Sequence, residues 1–368
     1  MKNNKILLCA SDAGGIKNIA SLISRLQDKK YLPILVTNID HLGIFSKLGV
    51  EILSSEHINS EYAVEELIKK IQPIAIMCGT SRYICADRFM IAAANRLCIK
   101  SFVVLDEWYG YAIRFTNEKG ELAYLPSVIC CQDEQAKMEA KAEGIPAQIL
   151  KVTGNPALSY LTKMAKQFFQ KKPDVLSFLK PYQKFFFVTF LSETYAVDFG
   201  EAQGEVGRFG SHLGYTEKTV CEDIISVLEN SEHKIVLIEK LHPETVGKDF
   251  IKSNHRNIVR FTVKHIDLWR LLLLSDLVIG MRSMALLESC ILGRPTVSYQ
   301  PGRIGDQRCS AVRLGLISCL STRSDLEKWC KNESEKINRK RNEVRPLKVY
   351  PFAREDSIDN VIRCITDN

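Results

Sequence analysis

Short apolar runs and amphipathic stretches take turns along this chain. Ile6–Ala10 is a continuous apolar run, and Ile16–Gln27 then places Ile19, Leu22, Ile23 and Leu26 at helical spacing. Further strand-like runs come at Tyr31–Val36, Glu51–Leu53, Pro73–Cys78, Ser101–Leu105, Ser127–Cys131 and Leu150–Val152. Between them the pattern predicts helices near His41–Leu48, over Glu61–Ile71 with Ser60 as its cap, over Cys85–Leu97 and over Glu134–Glu143. Alternation of this kind implies a parallel sheet with helices on both faces.

The stretch Pro156–Pro181 interrupts the rhythm with many lysines and no strand signal. The pattern then restarts. Strands are expected at Phe185–Phe190, Lys234–Glu239, Ile258–Phe261, Leu277–Ile279 and Thr296–Tyr299, with helices at Glu217–Leu228 and Leu268–Leu274. A late strand at Leu314–Ser318 and a helix over Thr322–Ser334 follow, and the segment from Pro351 to Ile365 reads as helical. A single core rarely grows to 368 residues. The expected fold class is therefore α/β, two tandem Rossmann-like domains with an interdomain cleft. The expected bounds are 1–160, a linker at 161–183, a second domain at 184–350 and a C-terminal helix at 351–368. Ligands of such sheets bind beyond the carboxyl ends of the strands.

Composition narrows the class. Hydrophobic residues make up 46% and charged residues 25%, an ordinary balance for a globular protein. The net charge of +7 is mild, and no RNA- or DNA-binding motif is present, which argues against nucleic acid. Lys163, Lys166, Lys171 and Lys172 form one basic cluster, and Arg339, Lys340, Arg341, Arg345 and Lys348 another. Each reads either as a solvated helix face or as a peripheral contact with an anionic membrane surface. Several of the twelve cysteines fall inside apolar runs, and no CxxC pair occurs. With Met1-Lys2-Asn3-Asn4-Lys5 leading directly into a strand, a reducing cytoplasm is the expected compartment. No metal site is expected, because HxxxH, HExxH and DxD patterns are absent.

Candidate chemistry collects at predicted strand ends. Gly280-Met281-Arg282-Ser283 joins a strand to a helix N-terminus, where backbone N–H groups and the helix dipole favour an anion. Met284 opens that helix and Glu288 lies about one turn in, within reach of a sugar hydroxyl; together they point to a nucleotide-sugar site. Ser11-Asp12-Ala13-Gly14-Gly15 follows the first strand. It is either a plain turn or a loop that approaches an acceptor closely, with Asp12 as general base. Asp106, Glu107, Trp108 and Tyr109, with Arg114 nearby, place acids beside aromatics. They read either as a loop covering the core or as an acceptor platform. Glu193 follows the strand Phe185–Phe190 and precedes a glycine-rich stretch, Gly200–Gly214, which is either a lid or a disordered insertion. His242 ends the strand Lys234–Glu239 and is either structural or a donor to phosphate. The candidate bases, in order, are Asp12, Glu107 and Glu193.

These residues resemble the GT-B glycosyltransferase architecture, a group that includes UDP-N-acetylglucosamine 2-epimerases. Val152-Thr153-Gly154-Asn155-Pro156 is similar to the TGN crossover motif of those epimerases and of lipid-A-disaccharide-synthase-like enzymes. His242-Pro243 is similar to their HP motif, and Arg282 to Pro295 to their SGGxQEE…LGKP segment. The resemblance puts Glu288 on the ribose-binding glutamate and Arg282, Ser283 and Met284 on the Ser-Gly-Gly that binds pyrophosphate. Both glycines are replaced here, and the epimerases' HGD motif is missing. Leu105–Phe115 and Ser192–Glu217 also resemble uncharacterised bacterial polysaccharide-biosynthesis proteins.

The expected function is a metal-independent glycosyltransferase of bacterial surface-glycan biosynthesis. Its co-substrate would be a nucleotide sugar and its acceptor a glycan or small molecule, with no separate cofactor. Arg282, the helix N-terminus and His242 would stabilise the departing diphosphate. The alternatives are a nucleotide-sugar 2-epimerase or hydrolase, and a non-catalytic nucleotide-sugar-binding subunit.

Overall fold

The computed structural model describes residues 4–37, 48–56, 58–81, 85–170, 174–247, 250–339 and 350–366. The helix expected near His41–Leu48 lies almost wholly outside them, as do Lys171, Lys172, Lys340, Arg341, Arg345 and Lys348 of the basic clusters. Two compact units form. The first is Met1–Met164 with Val349–Asn368, and the second is Ala165–Lys348. No helix among the described residues is long and apolar enough to cross a membrane.

The first unit is built on β1 (Lys5–Ala10), β2 (Leu32–Thr37), β3 (Glu51–Ser54), β4 (Ala75–Cys78), β5 (Ser101–Val104), β6 (Val128–Cys131) and β7 (Leu150–Val152). Their order across the sheet is β3-β2-β1-β4-β5-β6-β7. All neighbours run parallel. This is the Rossmann order, and its switch point lies between β1 and β4. The helix Ala13–Asp28 buries Ile16, Ile19 and Ile23 against Ile6 and Leu8 of β1. Val361 and Ile362 of the C-terminal helix Ser357–Thr366 complete the same core. Each such aliphatic side chain contributes about 1.5–3 kcal/mol on burial. Ser60 caps the helix Glu61–Ile71 by accepting from the Ala63 N–H, as its position predicts.

The TGNP stretch serves this unit's architecture. Gly154 has φ +84°, and a Cβ there would sit 2.1 Å from Ser357 Oγ. Asn155 Oδ1 accepts from Leu158 N at 2.9 Å and so caps the helix Pro156–Gln170. The Asn155 N–H donates to Phe352 O at 2.6 Å. The motif thus pins the returning C-terminal segment to β7.

The second unit carries β8 (Phe186–Leu191), a small hairpin of β9 (Val206–Gly207) and β10 (Gly210–Ser211), β11 (Ile235–Lys240), β12 (Phe250–His255), β13 (Ile258–Val263), β14 (Leu277–Gly280), β15 (Thr296–Tyr299) and β16 (Cys319–Leu320). Its main sheet runs β12-β13-β11-β8-β14-β15-β16. The sheet is parallel except for β12, which pairs antiparallel with β13 at one edge. The switch point lies between β8 and β14. Both units are Rossmann-like, as the alternation predicts.

Two details differ from expectation, and a third bears on an alternative left open. β12 reads FIKSNH and is mostly exposed, so it carries no buried-face pattern; backbone pairing alone makes it a strand. The late strand falls at Cys319–Leu320 rather than Leu314–Ser318, because Ser310–Arg313 is a helical turn that Gly315 terminates at φ +67°. The Gly200–Gly214 stretch is ordered. It follows the short helix Tyr195–Phe199 and folds as the β9–β10 hairpin. Gly207 lies so close to that helix that a Cβ would be 2.3 Å from Phe199 N.

Candidate functional site

Polar residues gather at the switch point of each unit. In the first, the loop after β1 meets the turn Gly79-Thr80 after β4. Their backbones touch: a Cβ on Gly79 would lie 2.7 Å from Gly15 Cα. Gly14 is just as confined, since a Cβ there would fall 2.1 Å from Asp106 Oδ2. Gly14 and Gly15, expected to let an acceptor approach, here let the Asp106 carboxylate and the Gly79 turn approach.

Asp12 is the N-cap of the helix Ala13–Asp28, accepting the Gly15 N–H at 2.8 Å. Burial holds its proton well above the ordinary carboxylate range, and the nearby charges of Asp106 and Asp87 add to the effect. Asp87 accepts from Ser11 Oγ and Ser81 Oγ, each at 2.9 Å, and from the Cys9 thiol at 3.3 Å. Asp106 accepts from Thr80 Oγ1 at 3.0 Å and Arg114 Nη1 at 2.9 Å. Burial raises its pKa and the Arg114 cation opposes that rise. Glu107 is also held by Arg114, Oε2 to Nη2 at 3.0 Å.

Trp108 is a core residue. It is 0% exposed, its Nε1 donates to Asp133 Oδ2 at 2.8 Å, and its ring packs edge-on to Phe352. An indole with no exposed face meets no sugar, so its place in the acceptor platform is withdrawn. Tyr109 is half-buried. Arg114, Thr80 and Asp87 complete the cluster, and sequence reasoning gave none of them a role. The signal that marks Thr80 is position: it lies in the turn directly after β4, one of the two strands that flank the switch point.

In the second unit, Glu193 follows β8 and Arg282 follows β14. Glu193 Oε2 accepts the backbone N–H groups of Arg282 at 2.7 Å and Ser283 at 3.2 Å. The amide cradle at the start of the helix Met284–Ile291 is thus filled by the protein's own carboxylate. Two of the amides expected to cradle a phosphate, those of Arg282 and Ser283, thus hold the expected base Glu193 in this structure. Burial raises the Glu193 pKa, and the charge and N–H of Arg282 pull it back. Gly280 is packed tightly, a Cβ there lying 3.1 Å from Leu286 Cδ2. Ser283 Oγ caps Ala285 N at 3.2 Å. The Arg282 guanidinium lies 4.6 Å from the Tyr195 ring centroid and 5.1 Å from that of Phe199, and its Nε bonds Tyr195 Oη.

Replacing Glu193 by alanine removes the acceptor of both amides. The expected cost is about 1–3 kcal/mol of stability. Glu193→Gln, which keeps one carbonyl oxygen in place, should recover part of it. Thermal melts of the two variants check the order; an alanine variant as stable as the parent would refute the carboxylate's role.

Glu288 is 4% exposed, and its Oε2 accepts from Trp269 Nε1 at 2.6 Å. It lies beneath neighbouring side chains here, so an open ribose-binding carboxylate is not what the structure displays. His242 is half-buried, and burial lowers its pKa. Its Nδ1 accepts the Glu244 N–H at 3.3 Å, which leaves the proton on Nε2. A neutral imidazole donates one hydrogen bond to an anion but brings no positive charge.

Beside Arg282 the second unit has a pocket of about 190 Å³. Two loops wall it, Phe209–Tyr215 and Gln300–Arg308, joined by the Ile304 N–H donating to Leu213 O at 2.8 Å. Gly214 and Gly302 meet backbone to backbone, a Cβ on Gly214 falling 2.1 Å from Gly302 O. Among the described residues no group of three or more His, Cys, Asp or Glu side chains could hold a metal ion.

No family model matches the chain, and no curated protein matches it. Solved structures do. UDP-GlcNAc 2-epimerase of Methanocaldococcus jannaschii, in complex with UDP-GlcNAc and UDP, superposes with a TM-score of 0.66 at 16% identity, covering 99% of this chain and 100% of that one. A putative UDP-N-acetylglucosamine 2-epimerase of Listeria monocytogenes reaches 0.71 at 13% identity, with 99% and 96% covered. MurG of Acinetobacter baumannii gives 0.56 at 12% identity, with 99% and 100% covered. The chain therefore has the GT-B fold, the architecture shared by these epimerases and glycosyltransferases.

Proposed function

We propose that this protein is an enzyme acting on a nucleotide sugar, and specifically a metal-independent glycosyltransferase of surface-polysaccharide biosynthesis. The observation that carries the reading is the Asp12 cluster. A carboxylate whose proton is held well above its ordinary range sits at the switch point of the first unit. That is the place and the tuning a general acid or base requires. In a transfer reaction Asp12 takes the proton from the attacking acceptor hydroxyl. Arg282 and the neutral His242, both at strand ends of the second unit, stabilise charge on the leaving phosphate. The acceptor, glycan or small molecule, lies with the first unit near Asp12 and Tyr109. We place the protein in the cytoplasm, with peripheral membrane contact through its basic segments.

A second reading, a nucleotide-sugar 2-epimerase or hydrolase, is favoured by the epimerases among the structural neighbours. In that case Asp12 exchanges a proton with the sugar itself and no acceptor is needed. A thermal-shift screen with UDP, GDP, CDP, CMP and TDP should give a rise in melting point with one base, because a ligand bound only by the folded state stabilises it. Incubating the matching nucleotide sugar alone then separates the readings. An epimer or free sugar supports the second; an unchanged donor that is consumed only when acceptor is added supports the first. No shift with any nucleotide removes both.

A further inference from the structure

We propose that the pocket beside Arg282 receives an acidic sugar, a ring that bears a carboxylate and at least one hydroxyl. The proposal rests on the nucleotide-sugar reading and names the class of sugar that the second unit accepts.

Three features select that class. The first is charge. The lining carries three guanidinium groups, Arg282, Arg303 and Arg308, against one carboxylate, Asp306. Neutral sugars are held through their hydroxyls, which carboxylates and amides serve; guanidinium forks match a carboxylate or a phosphate. Glu193 already fills the neighbouring amide cradle, so an incoming anion meets side-chain cations there rather than the helix terminus.

The second feature is Gln300. It is 0% exposed and lines the pocket. Its Nε2, with two hydrogens to give, has three acceptors within reach: Met281 O at 3.0 Å, Ser298 Oγ at 2.7 Å and Gln307 Oε1 at 3.1 Å. The Met281 carbonyl can only accept, which fixes the orientation of the amide. Its Oε1 is buried and has no donor. A buried acceptor calls for an N–H or O–H partner. A hydroxyl on the ligand supplies one, whereas an ionised phosphate has no proton to give.

The third feature is the walls. Phe209 and Ile304 present exposed apolar surface, and the buried Phe199 and Tyr215 close the base. Apolar faces suit the C–H surface of a sugar ring and add nothing to the binding of a bare phosphate. Whole drug-sized ligands fill about 300–1,000 Å³. A pocket of about 190 Å³ fits one ring rather than an entire nucleotide sugar.

The test uses the full chain and three probes, D-glucuronate, D-glucose and pyrophosphate, titrated by saturation-transfer NMR. Glucuronate should bind at least about tenfold more tightly than glucose. The Arg303→Ala/Arg308→Ala double variant should lose that preference. Both side chains are exposed, so the fold should survive, and circular dichroism checks that it does. Equal binding of glucuronate and glucose, or no binding of either, overturns the proposal. So does pyrophosphate binding that depends on the two arginines when glucuronate binding does not. A parallel titration with the nucleotide found by the thermal-shift screen keeps the two conclusions apart. Nucleotide binding without a glucuronate preference sinks only the acidic sugar; a glucuronate preference without nucleotide binding sinks only the nucleotide.

Discussion

Replacing Arg114 by methionine should lower the melting temperature by roughly 6–20 °C, from a loss of about 3–5 kcal/mol. The side chain is 2% exposed and holds the loop after β5 together. Nη1 donates to Asp106 Oδ1 at 2.9 Å and to Thr80 Oγ1 at 2.7 Å, Nη2 to Glu107 Oε2 at 3.0 Å, and Nε to the Gly110 carbonyl at 3.2 Å. Methionine fills similar space but leaves the buried Asp106 carboxyl beside Asp12 without its guanidinium partner. Removing one partner of a buried pair costs far more than the pair contributes, because the other charge stays behind. The loss depends on pH in a definite direction. Without Arg114 the Asp106 pKa in the folded state rises further above its unfolded value. Its contribution is then intact at low pH and is lost as pH rises through the folded value. The melting-point deficit should be smaller at pH 4 than at pH 8. Adding Asp106→Asn to the methionine variant should restore part of the stability, a non-additive pair in a double-mutant cycle. Calorimetry of the four proteins decides; an additive cycle would show that the guanidinium and the carboxylate act independently.

The sequence made strand ends visible, and the strand ends carry the sites. Asp12, Asp106, Glu193, His242 and Arg282 were all placed by the apolar runs that precede them, and each stands at the end of a strand or just past it. Partnership was not visible. Glu193 meets the amides of Arg282 and Ser283 across 89 and 90 positions of chain, a contact created by β8 lying next to β14. No local pattern encodes that neighbourhood. The partnership of Thr80 is hidden in the same way, since only the order β1-β4-β5 brings it to Asp106. Trp108 shows a second limit. Aromatics beside acids look alike in sequence whether they face solvent or core, and here the acceptor from Asp133, 25 positions on, lets the indole be buried with its N–H satisfied. Gln300 shows a third: its amide matters because one oxygen lacks a donor, a property of three dimensions only.

Asp12→Asn should abolish most turnover while making the protein more stable at neutral pH. Asparagine caps a helix about as well as aspartate, so the bond from the Gly15 N–H to Oδ1 at 2.8 Å is kept. What changes is the charge. In the folded protein burial, Asp106 and Asp87 all favour the protonated carboxyl, so its pKa lies above the unfolded value of about 3.9. Asp12 therefore costs nothing below the unfolded pKa and becomes progressively unfavourable as pH rises through the folded one. The asparagine variant should melt with the parent near pH 4 and above it at pH 8. Loss of a general acid or base removes about 10²–10⁴ of the rate. The two effects together separate a tuned catalytic group from a merely structural cap. A structural aspartate replaced by its amide changes stability and leaves chemistry alone, whereas a strained functional one gives stability back when its charge is removed. Full turnover by Asp12→Asn, measured on the nucleotide sugar that the parent consumes, would take proton transfer away from the first unit's switch point.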